Sequence, residues 1–513
     1  MFTVQNIFKN ARINTYSVLQ VRLKSKTHWS KLKKKNGPKY KALHHFDEFY
    51  GSVFGNKWEP MREGLLRKSK YVAVINNYGD SEETMEYLSH RGAHCLKKLM
   101  SVQKKFHDKY SPQEITEANS NHNNSLDNYV AKLQSEEIAK VYPQGENVPD
   151  KLELSENRIL QTDKKEEEKK EVSKSAYTLN KALEEAQIDH SRIIQPSMGL
   201  SSEALYQYVP ATKIKGLDDW VPESMHYSLY ANRDTDFPLI IEPETEFEYP
   251  KHLKVMTYEM NSEYEKFPEP KRCKTGVFNY YPMDGASVLG VLALCLRGGE
   301  RVLDLCAAPG GKALAALQTL LPDVLLCNDA SVSRSNRINR IFRDYLLDYE
   351  NGNKWQERVL MSRVDGRYLT DDYGFDKVLV DVPCTTDRHS VTEDENNIFR
   401  PDRVKERLNI PEVQTQLLVN ALRLARVGGG VVYCTCALSP AQNDGVVHAA
   451  LQRAFRDHAL VAAVRDLTKP FSALSSTLCL GTGAARPKYG QLVVPDVAAN
   501  FGPAYISRLV RIK

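Results

Sequence analysis

The sequence predicts an α/β fold in its C-terminal half, built on a mostly parallel sheet with helices on both faces. Short apolar runs of strand length alternate there with helical patterns. The apolar runs are VLDL (302–305), VLLCN (324–328), KVLVDV (377–382) and GVVYCTC (430–436). The helical patterns are Lys312–Leu320, Arg334–Tyr345, Lys405–Ala425 and Gln442–Phe455. This alternation indicates βαβ units, whose ligand sites lie outside the carboxyl ends of the strands.

Composition places the chain among globular proteins. Of its 513 residues, 42% are hydrophobic and 26% are charged, and no apolar run is long enough to predict a membrane-spanning helix. The nine cysteines are scattered, without the paired spacing of a zinc site. We therefore expect a reducing compartment, no disulfide framework and no structural metal.

The first residues are basic and contain no acidic side chain. The five cations of residues 1–30 equal the net charge of +5, so removing this segment would leave a neutral chain. The composition predicts a mitochondrial transit peptide over residues 1–28, and a disordered basic tail is the alternative. Net charge gives no argument for nucleic-acid binding, so any RNA surface must be a local patch.

The remaining composition predicts four further regions. Residues 29–110 mix aromatic residues with helix-like apolar spacing, which indicates a small helical N-terminal region. Residues 111–200 are polar and dense in mixed charge, and we expect a flexible insert there; a solvated helix is the alternative. Residues 201–269 form a connecting region, and 270–513 the α/β domain.

One half of a ligand site is expected after the first three strands. RVLDLCAAPGGKALAAL runs from strand through a turn into a helix, and Gly310 and Gly311 allow a ligand to approach the backbone. The spacing fits neither a dinucleotide fingerprint nor a phosphate loop. Asp329 follows Gly310 by 19 residues, where a carboxylate accepts ribose hydroxyls. Asp365 and Gly366 end another strand, and together these features predict adenosine binding.

The other half of the site contains two cysteines. The strand ending in DVPC carries Cys384, and the strand ending in YCTC carries Cys436. If these strands are neighbours, about 4.8 Å apart, both thiols face one pocket. A buried cysteine usually serves only as a small apolar side chain. Cys384 and Cys436 differ from that pattern because they lie at strand ends beside polar residues.

Several motifs resemble one known family. CAAPGGK, DVPCTTDRHS and the Thr-Cys pair of YCTC are together similar to the Nol/Nop/Sun family of RNA 5-methylcytosine methyltransferases. The resemblance spans about 270–513 and includes YPMDGAS (281–287) and YGQLVVP (489–495). DVPCTTDRHS with ENNIF (395–399), and the N-terminal FDEFYGSVFGNKW, most resemble the branch that modifies mitochondrial small-subunit rRNA.

The resemblance implies a Rossmann-like class I methyltransferase fold with a seven-stranded sheet and S-adenosylmethionine as cofactor. It implies that Cys436 is the nucleophile, that Cys384 assists release of the methylated base, and that Asp381 contacts the cytosine. Lys312 would serve either the cofactor or the base. The residues implied to line the cofactor pocket are Gly310, Gly311, Lys312, Asp329, Arg334, Asp365, Gly366 and Asp381.

The implied chemistry explains why a thiol is needed. Carbon 5 of cytosine is too weak a nucleophile to take a methyl group from a sulfonium unless a thiolate first adds at carbon 6. A cysteine thiol has a pKa of about 8.5, so the site must lower the pKa with positive charge or hydrogen bonds. The target base must also be single-stranded or turned out of a helix.

The sequence departs from the family pattern at two positions. Cys434 and Ala437 stand where serine is more usual, and we expect Cys434 to be a bystander. The resemblance implies a mitochondrial-matrix enzyme that methylates small-subunit (12S) rRNA and contributes to mitoribosome assembly. It also implies a heterodimer with a helical-repeat protein of the mitochondrial transcription-termination-factor type. The alternatives are an assembly factor with a secondary methylation role, and a methyltransferase for tRNA or a small molecule.

Overall fold

A computed structural model describes residues 37–109 and 235–513, except 246, 259, 261, 263–265 and 351. The predicted leader (1–28) and the predicted insert (111–200) lie outside the described residues. The chain divides into two compact units, one formed by residues 1–95 and 206–513 and the other by residues 96–205. Within the second unit, the described residues form one helix, α4 (Leu96–Lys109).

The first unit is built on a nine-stranded mixed sheet. Its strands are β3 (Ile240–Pro243), β6 (Glu300–Asp304), β7 (Pro322–Asn328), β8 (Val359–Ser362), β9 (Phe375–Asp381), β10 (Ala425–Thr435), β11 (Ala462–Asp466), β12 (Gln491–Val493) and β13 (Ala504–Arg511). The order is β3-β11-β13-β10-β9-β6-β7-β8, and β12 pairs with β13. The five strands from β10 to β8 are parallel, whereas β13 is antiparallel to β10.

The main helices packed on the large sheet form two layers. They are α5 (Gly285–Ala293), α6 (Gly311–Gln318), α7 (Val332–Tyr345), α9 (Val404–Leu424) and α10 (Asp444–His458). From β6 to β8 the sheet grows in one direction through α6 and α7, and from β9 to β10 it grows in the other through α9. Because such crossovers are right-handed, α6 and α9 lie on opposite faces. The direction in which strands are added to the sheet reverses between β6 and β9, and a ligand crevice is expected at such a point.

The predicted fold class is confirmed, but the predicted number of seven strands is wrong. The four apolar runs form β6, β7, β9 and β10, and the four helical patterns form α6, α7, α9 and α10. One additional strand is β3, from the predicted connecting region, which pairs with β11. The other, β12, has only three residues, too few to show an alternating pattern.

A second, four-stranded antiparallel sheet lies in the same unit. Its strands are β1 (Val72–Ile75), β2 (His94–Cys95), β4 (Val255–Thr257) and β5 (Tyr280–Met283), in the order β2-β4-β1-β5. The N-terminal region also contains α1 (Pro38–Phe54), α2 (Trp58–Leu66) and α3 (Ser81–His90). The prediction of a mainly helical region did not specify β1, because VAVI is a short apolar run without periodicity.

The N-terminal helices share a core with the large sheet. Ala42, Phe46 and Tyr50 of α1 belong to one buried cluster with Val391 and Phe399. Helix α1 contacts α8 (Asp387–Thr392), the short helix that follows β9. Among the described residues, no helix is long and apolar enough to cross a bilayer. The same residues include no cluster of three or more side chains suited to a metal ion.

Candidate active site

The turn after β6 requires both of its glycines. Gly310 has a left-handed φ of 114°, and a Cβ there would lie 3.3 Å from the backbone of Ile338. A Cβ on Gly311 would lie 2.9 Å from the ring of Tyr281. The turn therefore keeps its backbone close to neighbouring elements, and α6 begins at Gly311 with amide groups available for a ligand.

Asp329 and Arg334 lie together beyond β7. The Asp329 carboxylate is buried, and its Oδ2 lies 3.3 Å from Arg334 Nη2. Ser331 donates its amide to Asp329 Oδ1 at 3.0 Å, and Arg334 also donates to the carbonyl of Ala308 at 3.1 Å. The structure thus brings together two of the predicted cofactor residues and ties them to the glycine turn.

Asp365 and Gly366 lie beyond β8, and neighbouring side chains contact both of them. Arg367 donates to both oxygens of Asp365, at 2.6 Å and 3.1 Å, and this pairing lowers the pKa of Asp365. A Cβ on Gly366 would lie 2.9 Å from Leu417 of α9, and Asn420 donates to the Gly366 carbonyl. The position therefore needs glycine for close packing.

Lys312 and Asp381 form an ion pair where α6 faces the end of β9. Lys312 Nζ lies 2.6 Å from Asp381 Oδ2. Burial disfavours the ammonium, but the charge and hydrogen bond of the Asp381 carboxylate outweigh burial and raise the pKa of Lys312. Lys312 is therefore a permanent cation beside the cysteines.

Asp304 is a site residue that the sequence analysis did not select. It ends β6 and is fully buried, and neither carboxylate oxygen has a hydrogen-bond partner among the described residues. Burial and the neighbouring charge of Asp381 raise the pKa of Asp304 to about 8. The available signal was an acid inside the apolar run VLDL, which is costly to bury without a purpose.

The two predicted cysteines meet between β9 and β10. These strands are parallel neighbours, as predicted, with Cys434 opposite Asp381. The Cys436 amide donates to Cys384 Sγ at 3.3 Å and the Thr386 amide does so at 3.4 Å. The predicted shared location is therefore present.

The proton of the cysteine pair is distributed unequally. The contact with the Cys436 side chain and the two amide donors lower the pKa of Cys384. The same side-chain contact, together with burial, raises the pKa of Cys436, and Lys312 partly offsets this rise. The two amide donors therefore favour negative charge on Cys384 over Cys436.

Asp387 holds the two cysteine-bearing loops together, and the sequence analysis missed this role. Its buried carboxylate accepts hydrogen bonds from Thr385 Oγ1 at 2.5 Å, the Leu438 amide at 2.8 Å and Tyr50 Oη at 2.6 Å. Residue 385 follows Cys384, residue 438 follows Cys436, and Tyr50 belongs to α1. The signal was an acid three residues after Cys384.

Cys434 is buried beneath the site. A Cβ on Gly290 would lie 2.9 Å from Cys434 Sγ, so the thiol packs closely against α5. Burial raises the pKa of Cys434 despite the positive charge of Lys312. The thiol therefore stays protonated, which agrees with the expectation of a bystander.

Comparison with known proteins is consistent with this geometry. Residues 291–472 match a family model described as "16S rRNA methyltransferase RsmB/F". The Caenorhabditis elegans protein named "5-cytosine rRNA methyltransferase nsun-4" is 33% identical over 498 residues, which cover 96% of each chain. The chain belongs to the RsmB/F family of Nol/Nop/Sun-domain methyltransferases.

Two further relatives of this RsmB/F-family chain differ in their named substrates. A Xenopus laevis protein named "5-cytosine rRNA methyltransferase NSUN4" is 45% identical over 48% of this chain and 60% of its own length. A Danio rerio protein named "tRNA (cytosine(34)-C(5))-methyltransferase, mitochondrial" is 33% identical over 57% of this chain and 80% of its own length. The family resemblance is thereby confirmed, and the RsmB/F-family chain is a methyltransferase.

Proposed function

We propose that this enzyme methylates carbon 5 of a cytosine in mitochondrial small-subunit rRNA, with S-adenosylmethionine as methyl donor. The observation that carries the proposal is the contact between Cys384 and Cys436 beside the Lys312–Asp381 ion pair. One thiol is needed to add to the pyrimidine and the other to assist its release. Neither an adenosine-binding protein without catalysis nor a simple RNA-binding factor needs such a pair.

The residues at the strand ends fit the cofactor. The helix amides after Gly311 suit its carboxylate, and the buried Asp329 suits its ribose hydroxyls. Asp365 and Gly366 would flank the adenine, and Arg334 would hold Asp329 in place. The bound cofactor supplies an electrophilic methyl group on a sulfonium.

The residues of the chain would then act in sequence. Cys436 passes its proton to Cys384, and its thiolate adds to carbon 6 of the cytosine. Carbon 5 forms its new bond to the methyl group. Water takes the proton of carbon 5, and the electrons of that C–H bond restore the ring double bond and expel the Cys436 thiolate. This thiolate takes its proton back from Cys384, so one proton in total is released to solvent. Lys312 stabilises the negative charge on these thiols, and Asp381 keeps Lys312 in place.

Two considerations support rRNA in mitochondria as the substrate. The relative that matches almost the whole chain is named as an rRNA methyltransferase, and the basic N-terminal segment has the composition of a matrix-targeting signal. We include in the proposal a contribution to mitoribosome assembly and a heterodimer with a helical-repeat partner of the mitochondrial transcription-termination-factor type. A tRNA cytosine is the second candidate, because the Danio rerio relative carries that name.

The experiment is bisulfite sequencing of mitochondrial RNA after the endogenous protein is replaced by the wild type or by Cys436→Ala. We expect the variant to lose one methylated cytosine in small-subunit rRNA, and Cys434→Ala, the matched control, to retain it. Loss of signal only at a tRNA cytosine would replace the proposal with the second candidate. Normal small-subunit assembly in cells carrying Cys436→Ala would show that methylation and assembly are separate roles.

A further inference from the structure

A groove of about 820 Å³ opens at Cys436, and much of its wall comes from outside the α/β domain. One part of the wall is the segment from Leu66 to Tyr71, between α2 and β1, and another is the segment from Lys266 to Pro270. Residues of α8, of the β5–α5 region and of the turn before β13 form the rest of the wall. Because the Cys436 thiol lies in this groove, an RNA strand that presents its cytosine to Cys436 must run along these segments.

The first segment is held by its backbone. Arg388 donates to the carbonyls of Gly64 and Arg67, at 2.7 Å and 2.8 Å. Asn500 donates to the Lys68 carbonyl at 2.6 Å and accepts from the Lys70 amide at 3.0 Å. The main chain is thereby fixed against the C-terminal strands, which leaves the exposed Lys68 side chain at the groove.

The second segment is anchored to the small sheet. Phe267 stacks on Tyr258 with ring centroids 4.6 Å apart, and Tyr280 of β5 donates its hydroxyl to the Pro268 carbonyl. Lys266 stands at the start of this segment and is exposed. The two lysines that line the groove are therefore carried by backbone that is already ordered, which lowers the entropic cost of binding a ligand.

The groove has the chemistry of a single-strand RNA site. Within the described ranges, neither Lys68 nor Lys266 makes an ion pair or hydrogen bond through its ammonium. Tyr71 is 47% exposed and offers an aromatic face. Cations that follow a backbone and aromatic rings that stack on bases are the usual elements of such sites. Glu269 and Glu393 also line the groove, and their negative charges disfavour phosphates beside them. Phosphates are therefore expected only next to the two lysines.

We propose that Lys68 and Lys266 bind the RNA phosphates that flank the target cytosine, and that Tyr71 stacks on a neighbouring base. This inference rests on the proposed function, since it assumes an RNA cytosine at Cys436. It assigns RNA contacts to this chain itself, in a region that precedes the catalytic strands. A partner protein would then add to an RNA surface that already exists.

The test measures binding of a fluorescently labelled small-subunit rRNA fragment by anisotropy, over a range of salt concentrations. Lys68→Ala/Lys266→Ala is expected to bind roughly tenfold more weakly than the wild type. The slope of log affinity against log salt should become shallower by about 1.4, or 0.7 for each lost phosphate contact. The matched control is Lys251→Ala/Lys405→Ala, two exposed lysines that do not line the groove.

The stacking role is tested separately. Tyr71→Ala should weaken binding several-fold, whereas Tyr71→Phe should bind like the wild type because the ring is retained. Unchanged affinity and salt slope in the double lysine variant, or equal losses in Tyr71→Ala and Tyr71→Phe, would overturn the assignment. Binding is measured without turnover, so these outcomes are distinct from failure of the proposed function, in which the wild type would methylate no rRNA cytosine.

Discussion

At the scale of single residues, the sequence predicts where the two cysteines lie, but only the structure shows which of them is the better place for negative charge. DVPC and YCTC were sufficient to place Cys384 and Cys436 at adjacent strand ends. They did not indicate which sulfur holds the negative charge, because that depends on amide donors from Thr386 and Cys436. Local backbone geometry sets the pKa order within the pair, and motif spacing does not report it.

The pair gives the first residue-scale prediction. Cys384→Ala removes the contact that raises the pKa of Cys436, so Cys436 can ionise beside Lys312 and still add to the base. Release should slow because the variant lacks the thiol that returns a proton to the leaving Cys436, so a covalent protein–RNA adduct should accumulate. Denaturing gels with labelled RNA and S-adenosylmethionine would show it as a shifted band. Cys384→Ala/Cys436→Ala is the control and should give no band. An adduct that persists in this double variant would assign the nucleophile to another residue.

Asp304 gives a prediction about pH. Folding raises its pKa from about 4 to about 8, so in this window the folded state holds a proton that the unfolded chain releases. The free energy of unfolding should therefore fall as pH rises from 4 to 8, by at most about 1.4 kcal/mol for each pH unit. Asp304→Asn should remove this contribution, as measured by denaturant unfolding at several pH values.

The comparison for Asp304 is Asp372→Asn, because Asp372 is an exposed aspartate on the same unit. Its pH profile should match that of the wild type. If Asp304→Asn also keeps the wild-type slope between pH 4 and pH 8, the Asp304 carboxyl group is ionised in the folded protein, and the proposed environment at the end of β6 is wrong.

At the scale of elements, the long periodic segments were predictable and the short ones were not. Helices α6, α7, α9 and α10 and the strands between them follow from apolar periodicity. The four-residue strand β1 and the three-residue strands β4 and β12 are too short to carry a pattern. They are strands because partners distant in the sequence supply their hydrogen bonds, as when β1 pairs with β5.

Helix α1 gives a prediction at this scale. Tyr50 of α1 donates to the carboxylate of Asp387, which binds both cysteine-bearing loops. Tyr50→Phe should cost about 1 kcal/mol of stability and lower kcat several-fold, with little change in KM for the cofactor. Single-turnover methylation together with thermal unfolding would measure both effects.

A matched variant distinguishes positioning of the cysteines from general stability. Tyr505 donates to the buried carboxylate of Asp444 at 2.7 Å, and the amides of Lys488 and Tyr489 also donate to that carboxylate. Tyr505→Phe should lose similar stability but keep its kcat. Equal falls in kcat for both variants would mean that Tyr50 acts only through the stability of the fold.

At the scale of the whole molecule, the N-terminal helices and the methyltransferase sheet form one folding unit. The sequence suggested a boundary near residue 270 because the motifs begin there. The structure instead buries the apolar faces of α1 and α2 in the same core as residues that follow β9. Such a packing arrangement has no sequence signature, since the two sets of residues are more than 300 positions apart.

This shared core predicts that residues 270–513 are not an independent domain. Helices α1 and α2 contribute the buried side chains Ala42, Phe46, Tyr50, Val53, Phe54, Trp58, Met61 and Leu65. At roughly 1.5–3 kcal/mol for each large apolar side chain, their loss removes on the order of 10 kcal/mol, comparable with the whole stability of a typical domain. A 270–513 fragment should therefore lack a cooperative thermal transition, whereas residues 37–513 should unfold like the full chain. Cooperative unfolding of the short fragment at the full-chain temperature would mean that the N-terminal helices cover a core that is already complete, and their role would then be confined to the groove and the cysteine loops.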